Sequence, residues 1–134
     1  MLIVNKNANN TWILTLNETK TLSSPYYLVK ATSRFNNTSK TFILSTDQSS
    51  YTDRFNQFTV TESSSEVLTS GTVEFTPTGQ WDYEIYEQTS STNLSVDAAD
   101  NTTPIERGVI LVIGTNQVTY KKRTQGITYK GYGG

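Results

Sequence analysis

Histidine and cysteine are both absent from this chain of 134 residues, and proline occurs only three times. Without imidazole or thiolate there is no His or Cys base or nucleophile, no disulfide, and no zinc, haem or iron–sulfur site of the usual ligand types. The longest unbroken apolar run is Val109-Ile110-Leu111-Val112-Ile113, far short of the roughly 20 residues a membrane-spanning helix needs. The first residues, Met1-Leu2-Ile3-Val4-Asn5-Lys6, lack the basic region, apolar stretch and small-residue cleavage site of a secretory leader. Synthesis in the cytoplasm is the expectation, and the lack of Cys suits a reducing compartment.

The polar residues that are abundant are small ones, with 23 Thr, 14 Ser and 11 Asn. Ile, Leu, Val and Phe still make up 31 positions, enough apolar side chain for one folded domain of ordinary size. Period-two alternation is plainest at 81–87, which puts Trp81, Tyr83 and Ile85 on one face and Asp82, Glu84 and Tyr86 on the other. The same pattern places Trp12, Leu14 and Leu16 together, then Phe58 with Val60, then Val73 with Phe75. Segments 26–32 and 40–45 flank a polar stretch holding Asn36 and Asn37, which reads as a hairpin. Pro77 and Gly79 predict a second hairpin between the strands of Phe75 and Trp81. The run 109–113, bracketed by Gly108 and Gly114, reads as a central strand covered on both faces. One or two helical turns are expected within 94–100. Seven or eight such strands predict an all-β fold, a single antiparallel β-sandwich of immunoglobulin-like kind, with a barrel as the alternative. The sandwich is assigned to residues 1–119 and an extended or hairpin C-terminal arm to 120–134.

Charge is segregated along the chain. Residues 55–106 hold nine acidic and no basic side chains, whereas 107–134 hold five basic and no acidic ones. Such asymmetry suits contacts in which the end of one copy meets the acidic region of another. The candidate contact residues are Leu2, Ile3 and Val4 of the first strand, with Tyr120, Lys121, Lys122, Arg123, Tyr129, Lys130 and Tyr132 of the arm. Lys121-Lys122-Arg123 among tyrosines also matches the cation-plus-ring pattern of nucleic-acid binders, which the overall charge of −1 disfavours.

Three further constellations bear on function. Asp82 and Glu84, two apart on one strand face, approach the spacing of an inverting glycosidase pair but come with no evident cleft. Asp97, Asp100 and Asn101, or Asp47 with Asp53, offer oxygen ligands without the spacing of a calcium loop. Tyr26, Tyr27, Tyr51 and Tyr86 are the rings for a sugar-binding platform. The expectation is no catalytic residue, no cofactor and no metal.

The string Phe75-x-Pro77-x-Gly79-x-Trp81-x-Tyr83-x-Ile85-Tyr86-Glu87-Gln88, followed by Ser91-Thr92-Asn93-Leu94 and Glu106-Arg107-Gly108-Val109-Ile110-Leu111-Val112, resembles a pattern in small immunoglobulin-like structural proteins of tailed bacteriophages. The resemblance covers about residues 70–114. It implies a non-enzymatic virion protein, foremost an auxiliary or decoration protein that binds and stabilises the capsid shell. The implied partners are the major capsid protein or other virion subunits, with the chain homo-oligomeric or present in many copies, and no membrane. Placement in the tail or neck, or a carbohydrate- or host-surface-binding role, are the alternatives.

Overall fold

A computed structural model describes residues 1–114, so the arm residues Tyr120, Lys121, Lys122, Arg123, Tyr129, Lys130 and Tyr132 lie outside the described residues. The described residues form eight strands: β1 (Leu2–Asn5), β2 (Asn9–Leu14), β3 (Tyr26–Ser33), β4 (Ser39–Ile43), β5 (Asn56–Glu62), β6 (Thr72–Val73), β7 (Gly79–Gln88) and β8 (Glu106–Ile113). Helical structure among the described residues is limited to single 3-10 turns at Leu16–Glu18, Leu68–Ser70 and Val96–Ala98. The strands form a five-stranded sheet in the order β1-β8-β7-β3-β4 and a three-stranded sheet in the order β2-β5-β6.

Alternating side chains explain why these two sheets close on one another. Trp12 and Leu14 of β2, and Phe58 and Val60 of β5, face Leu2, Val4, Val29, Ala31, Phe42, Trp81, Ile85, Ile110 and Val112 of the larger sheet in one buried cluster. Phe75 lies at its centre, edge-on to both Trp81 (ring centroids 5.2 Å apart) and Phe42 (5.9 Å). Each such fully buried side chain contributes roughly 1.5–3 kcal/mol. Among the described residues, the indole N–H of Trp12 is the one buried side-chain polar atom without a hydrogen-bond partner.

Polar side chains seal both ends of the three-stranded sheet. At one end the Asn56 amide oxygen accepts the N–H groups of Leu16 and Asn17, while its nitrogen donates to Asp47. At the other end Glu62, only 2% exposed, accepts hydrogen bonds from Lys6 Nζ (2.7 Å), Asn7 N (2.8 Å) and Phe75 N (2.9 Å). Burial alone would raise the Glu62 pKa, but Lys6 and the two backbone donors outweigh it and hold the carboxyl below its ordinary range.

The antiparallel expectation is corrected: both sheets are mixed. β1 runs parallel to β8, pairing Leu2 with Ile110 and Asn5 with Ile113, and the short β6 runs parallel to β5. The cause at β1 is local. Asn7 turns the chain at φ 58°, and the Asn10 side chain takes both backbone groups of Asn5, accepting its N–H at 2.8 Å and donating to its carbonyl at 3.2 Å. A side chain thus stands where a β1–β2 hairpin ladder would, and β1 passes to the five-stranded sheet instead.

The expected hairpin at 76–79 is also corrected. The strand before it, β6, joins the sheet of β5, while β7 belongs to the other sheet, so the segment is a crossing between layers. Its Thr76–Pro77 peptide is cis, and the Pro77 carbonyl accepts the Trp81 indole N–H at 2.9 Å. The first hairpin stands, with β3 pairing antiparallel to β4 across a loop in which Asn37 adopts φ 62°. The helical expectation for 94–100 reduces to the 3-10 turn at Val96–Ala98. No helix among the described residues is long and apolar enough to cross a membrane.

Candidate functional site

The outer face of the five-stranded sheet carries the features on which a function can rest, and it divides into three bands. The first is apolar and covered. Leu28, Ile43 and Tyr86 project outward from adjacent strands β3, β4 and β7, and the long β7–β8 connection folds back over them, packing Leu94, Val96 and Ala99 against the patch. That connection is anchored at its base: Gln88 donates to the carbonyls of Ser90 and Asn93 and accepts from the Asn93 amide, while Asp100 accepts the Thr89 N–H. Under this cover the Tyr86 phenol is pushed up to about 12, first by burial and then by its hydrogen bond to Glu84.

The second band is a ladder of charges across the middle. Register places Lys30 opposite Glu84 and Glu84 opposite Arg107. Arg107 Nε lies 3.4 Å from Glu84, and Arg34 grips Asp82 at 2.7 Å while also donating to Gln80. The Arg34 hydrogen bond holds the Asp82 carboxyl below its ordinary range. A glycosidase of the inverting type needs one carboxyl kept protonated near neutral pH. Here Asp82 is stabilised as the anion, in a shallow groove of about 340 Å³ between Lys30, Thr32 and Arg107.

The third band is apolar and, among the described residues, uncovered. On β8, Val109, Leu111 and Ile113 alternate outward, and Ile3 of β1 stands beside Leu111 in the register. Ile3 is 40% and Ile113 36% exposed, with Val109 and Leu111 half-buried. Among the described residues, 109–113 is thus fully buried on its inner face alone, because the β7–β8 connection lies over β3, β4 and β7. Leu2 and Val4, expected as contact residues, have their side chains in the core, so of that trio Ile3 alone is exposed.

The inner side of β8 has its own requirement. Gly108 lies opposite Tyr83, and a Cβ there would come within 2.7 Å of the Tyr83 ring. The ring therefore occupies the space a side chain would fill, and its hydroxyl donates to Glu106 at 3.0 Å.

The tyrosines do not assemble as the sequence suggests. Tyr27 is buried among the inner residues against Phe58 (5.8 Å), Tyr86 is buried on the outer face, and Tyr26 and Tyr51 are exposed. Neighbours in a strand point to opposite faces, which is why Tyr26 and Tyr27 part company. A cleft of about 470 Å³ does open beside Tyr26, Tyr27, Phe58 and Asp47. Asp47, considered as a calcium ligand, spends its oxygens on the N–H groups of Ser49 and Gln57 and on Asn56. No cluster of three or more His, Cys, Asp or Glu side chains suited to a metal occurs among the described residues.

No family model and no curated protein matches the sequence. Among solved structures, the chain is similar to part of a Bacteroides vulgatus protein whose assignment as a glycoside hydrolase is provisional, with a TM-score of 0.44 and 9% identity. The match covers 87% of this chain but 17% of that one.

Proposed function

We propose that this chain is a non-enzymatic structural subunit of a bacteriophage virion, an auxiliary protein that binds and stabilises the capsid shell. The observation that carries the reading is the uncovered apolar strip of Ile3, Val109, Leu111 and Ile113 beside a ladder of self-paired charges. A contiguous apolar patch rimmed by polar residues is the signature of a protein-binding face.

The connectivity supports an immunoglobulin-like sandwich of variable type. Its order β1-β8-β7-β3-β4 over β2-β5 is that of a G-F-C-C′ sheet with the first strand added beside G, facing a B-E sheet. The resemblance of residues 70–114 to small phage structural proteins supports the role class. Mass spectrometry of separated head and tail fractions, from particles of the phage that encodes the chain, tests the proposal. Enrichment in heads at many copies is expected. Recovery in tails alone would move the protein there, and absence from particles would overturn the reading.

The cleft beside Tyr26, Tyr27 and Phe58 favours a second reading, a carbohydrate-binding module. Binding on a glycan array that is lost in Tyr26→Ala would support it.

A further inference from the structure

We infer that the uncovered strip on β1 and β8 is the receiving surface for the segment 115–134 of a neighbouring copy of this chain. The inference rests on the assembly reading above and names the partner of that same face.

Charge supports this occupant. Residues 1–114 carry twelve acidic and seven basic side chains, whereas 115–134 carry four basic and none acidic. On β7 the strip is bordered by Gln80 and Asp82, opposite Leu111 and Val109 respectively, both engaged by Arg34. A segment bringing Lys121, Lys122, Arg123 and Lys130 together with Tyr120, Ile127, Tyr129 and Tyr132 matches an apolar strip on a body of net negative charge.

The place where the segment departs favours a neighbour over its own body. It follows Ile113 at the end of β8, and β8 is hydrogen-bonded on one flank to β1 and on the other to β7. A return paired directly to β8 is therefore closed, and a return within the chain would have to pair with the free edge of β1. Twenty residues reach up to about 70 Å when extended, against a body roughly 35 Å across for this length. Contact between two strips is the poorer alternative. Four partly exposed side chains on each side fall well short of the roughly 1,200 Å² that a stable interface buries, whereas a segment of twenty residues brings a larger surface to the contact.

The absence of native cysteine makes disulfide trapping in the full chain a clean test. Ile3→Cys is mixed with each of Tyr120→Cys, Tyr129→Cys and Tyr132→Cys, and the mixtures are oxidised mildly. At least one mixture is expected to give a disulfide-linked heterodimer. Its yield should fall several-fold between about 0.1 M and 1 M salt as screening tightens, and excess synthetic peptide 115–134 should suppress it. An intrachain link in the double variants, with none in the mixtures, would assign the segment to its own strip and overturn the inference. So would homodimers of Ile3→Cys without any link to the segment. Light scattering of the wild-type chain separates the two levels. A stable oligomer without a strip-to-segment link refutes the inference and leaves the assembly reading standing. A link in a protein absent from virions does the reverse.

Discussion

Glu62 joins three parts of the chain through one buried carboxylate, and replacing it with Gln isolates what the charge contributes. The side chain accepts from Lys6 Nζ, Asn7 N and Phe75 N at 2.7–2.9 Å. A Gln amide of the same shape has one acceptor oxygen, and its NH2 must face at least one of these donors. Each buried donor so orphaned costs about 1–3 kcal/mol, with more for the lost charge-assisted bond to Lys6. Glu62→Gln should therefore cost about 2–4 kcal/mol at pH 7, or roughly 8–16 °C in Tm for a domain of this size. The sign of the pH dependence follows from linkage. A carboxyl whose pKa is lower folded than unfolded stabilises fully above its ordinary value of 4.5, and that contribution disappears as pH falls through the folded value. Urea denaturation of both proteins at pH 7 and near pH 2.5 is the assay. The gap should narrow strongly in acid, while Glu66 and Glu87, also depressed, titrate alike in both and cancel. An equal gap at both pH values would refute the argument and assign the loss to packing.

The remaining predictions concern other parts of the fold. Gly108→Ala places a Cβ against the Tyr83 ring, and overpacking should cost about 1–3 kcal/mol by thermal melting, an effect relieved in the double variant with Tyr83→Leu. Absorbance titration at alkaline pH should show Tyr27 and Tyr86 ionising near 12, because burial raises both. Their stabilisation is complete below about pH 10 and is lost as pH rises through the folded values, so a uniform titration at 10 in the folded state would contradict the burial. Replacing Leu94 and Val96 together by Ser should uncover Leu28, Ile43 and Tyr86, increasing binding of a hydrophobic dye and bringing the Tyr86 phenol back toward 10. No change in either signal would mean that the β7–β8 connection does not cover that patch.

Much of this architecture is legible where one residue decides its own surroundings. The alternation of Trp81, Tyr83 and Ile85 with Asp82 and Glu84 gives β7 its two faces without further information. Tyr86 follows the same alternation onto the outer face, yet it is buried, because the cover comes from Leu94 and Val96 on a connection with no periodicity to read. The parallel course of β1 depends on Asn10 replacing backbone partners at Asn5, a side-chain substitution that no strand pattern announces. Pro77 and Gly79 do mark a change of direction, but turn chemistry does not say whether the chain returns to the same sheet or crosses to the other. The strip shows the same limit. Five consecutive apolar residues announce a strand, and only the path of the preceding loop decides which of their faces remains open among the described residues.

The parallel pairing of β1 with β8 bears on how the domain carries load. Because the chain enters β1 at the end opposite to that where it leaves β8, tension applied across the domain draws the two strands lengthwise past each other. All the hydrogen bonds of that ladder are then strained at once, whereas an antiparallel hairpin pulled at its open end parts one rung at a time. Resistance to pulling is a kinetic property, governed by the unfolding barrier. Asn10 holds the end of β1 through both backbone groups of Asn5, and Asn10→Ala should lower the unfolding force in single-molecule extension. The direction of one strand thereby becomes a mechanical property of the fold.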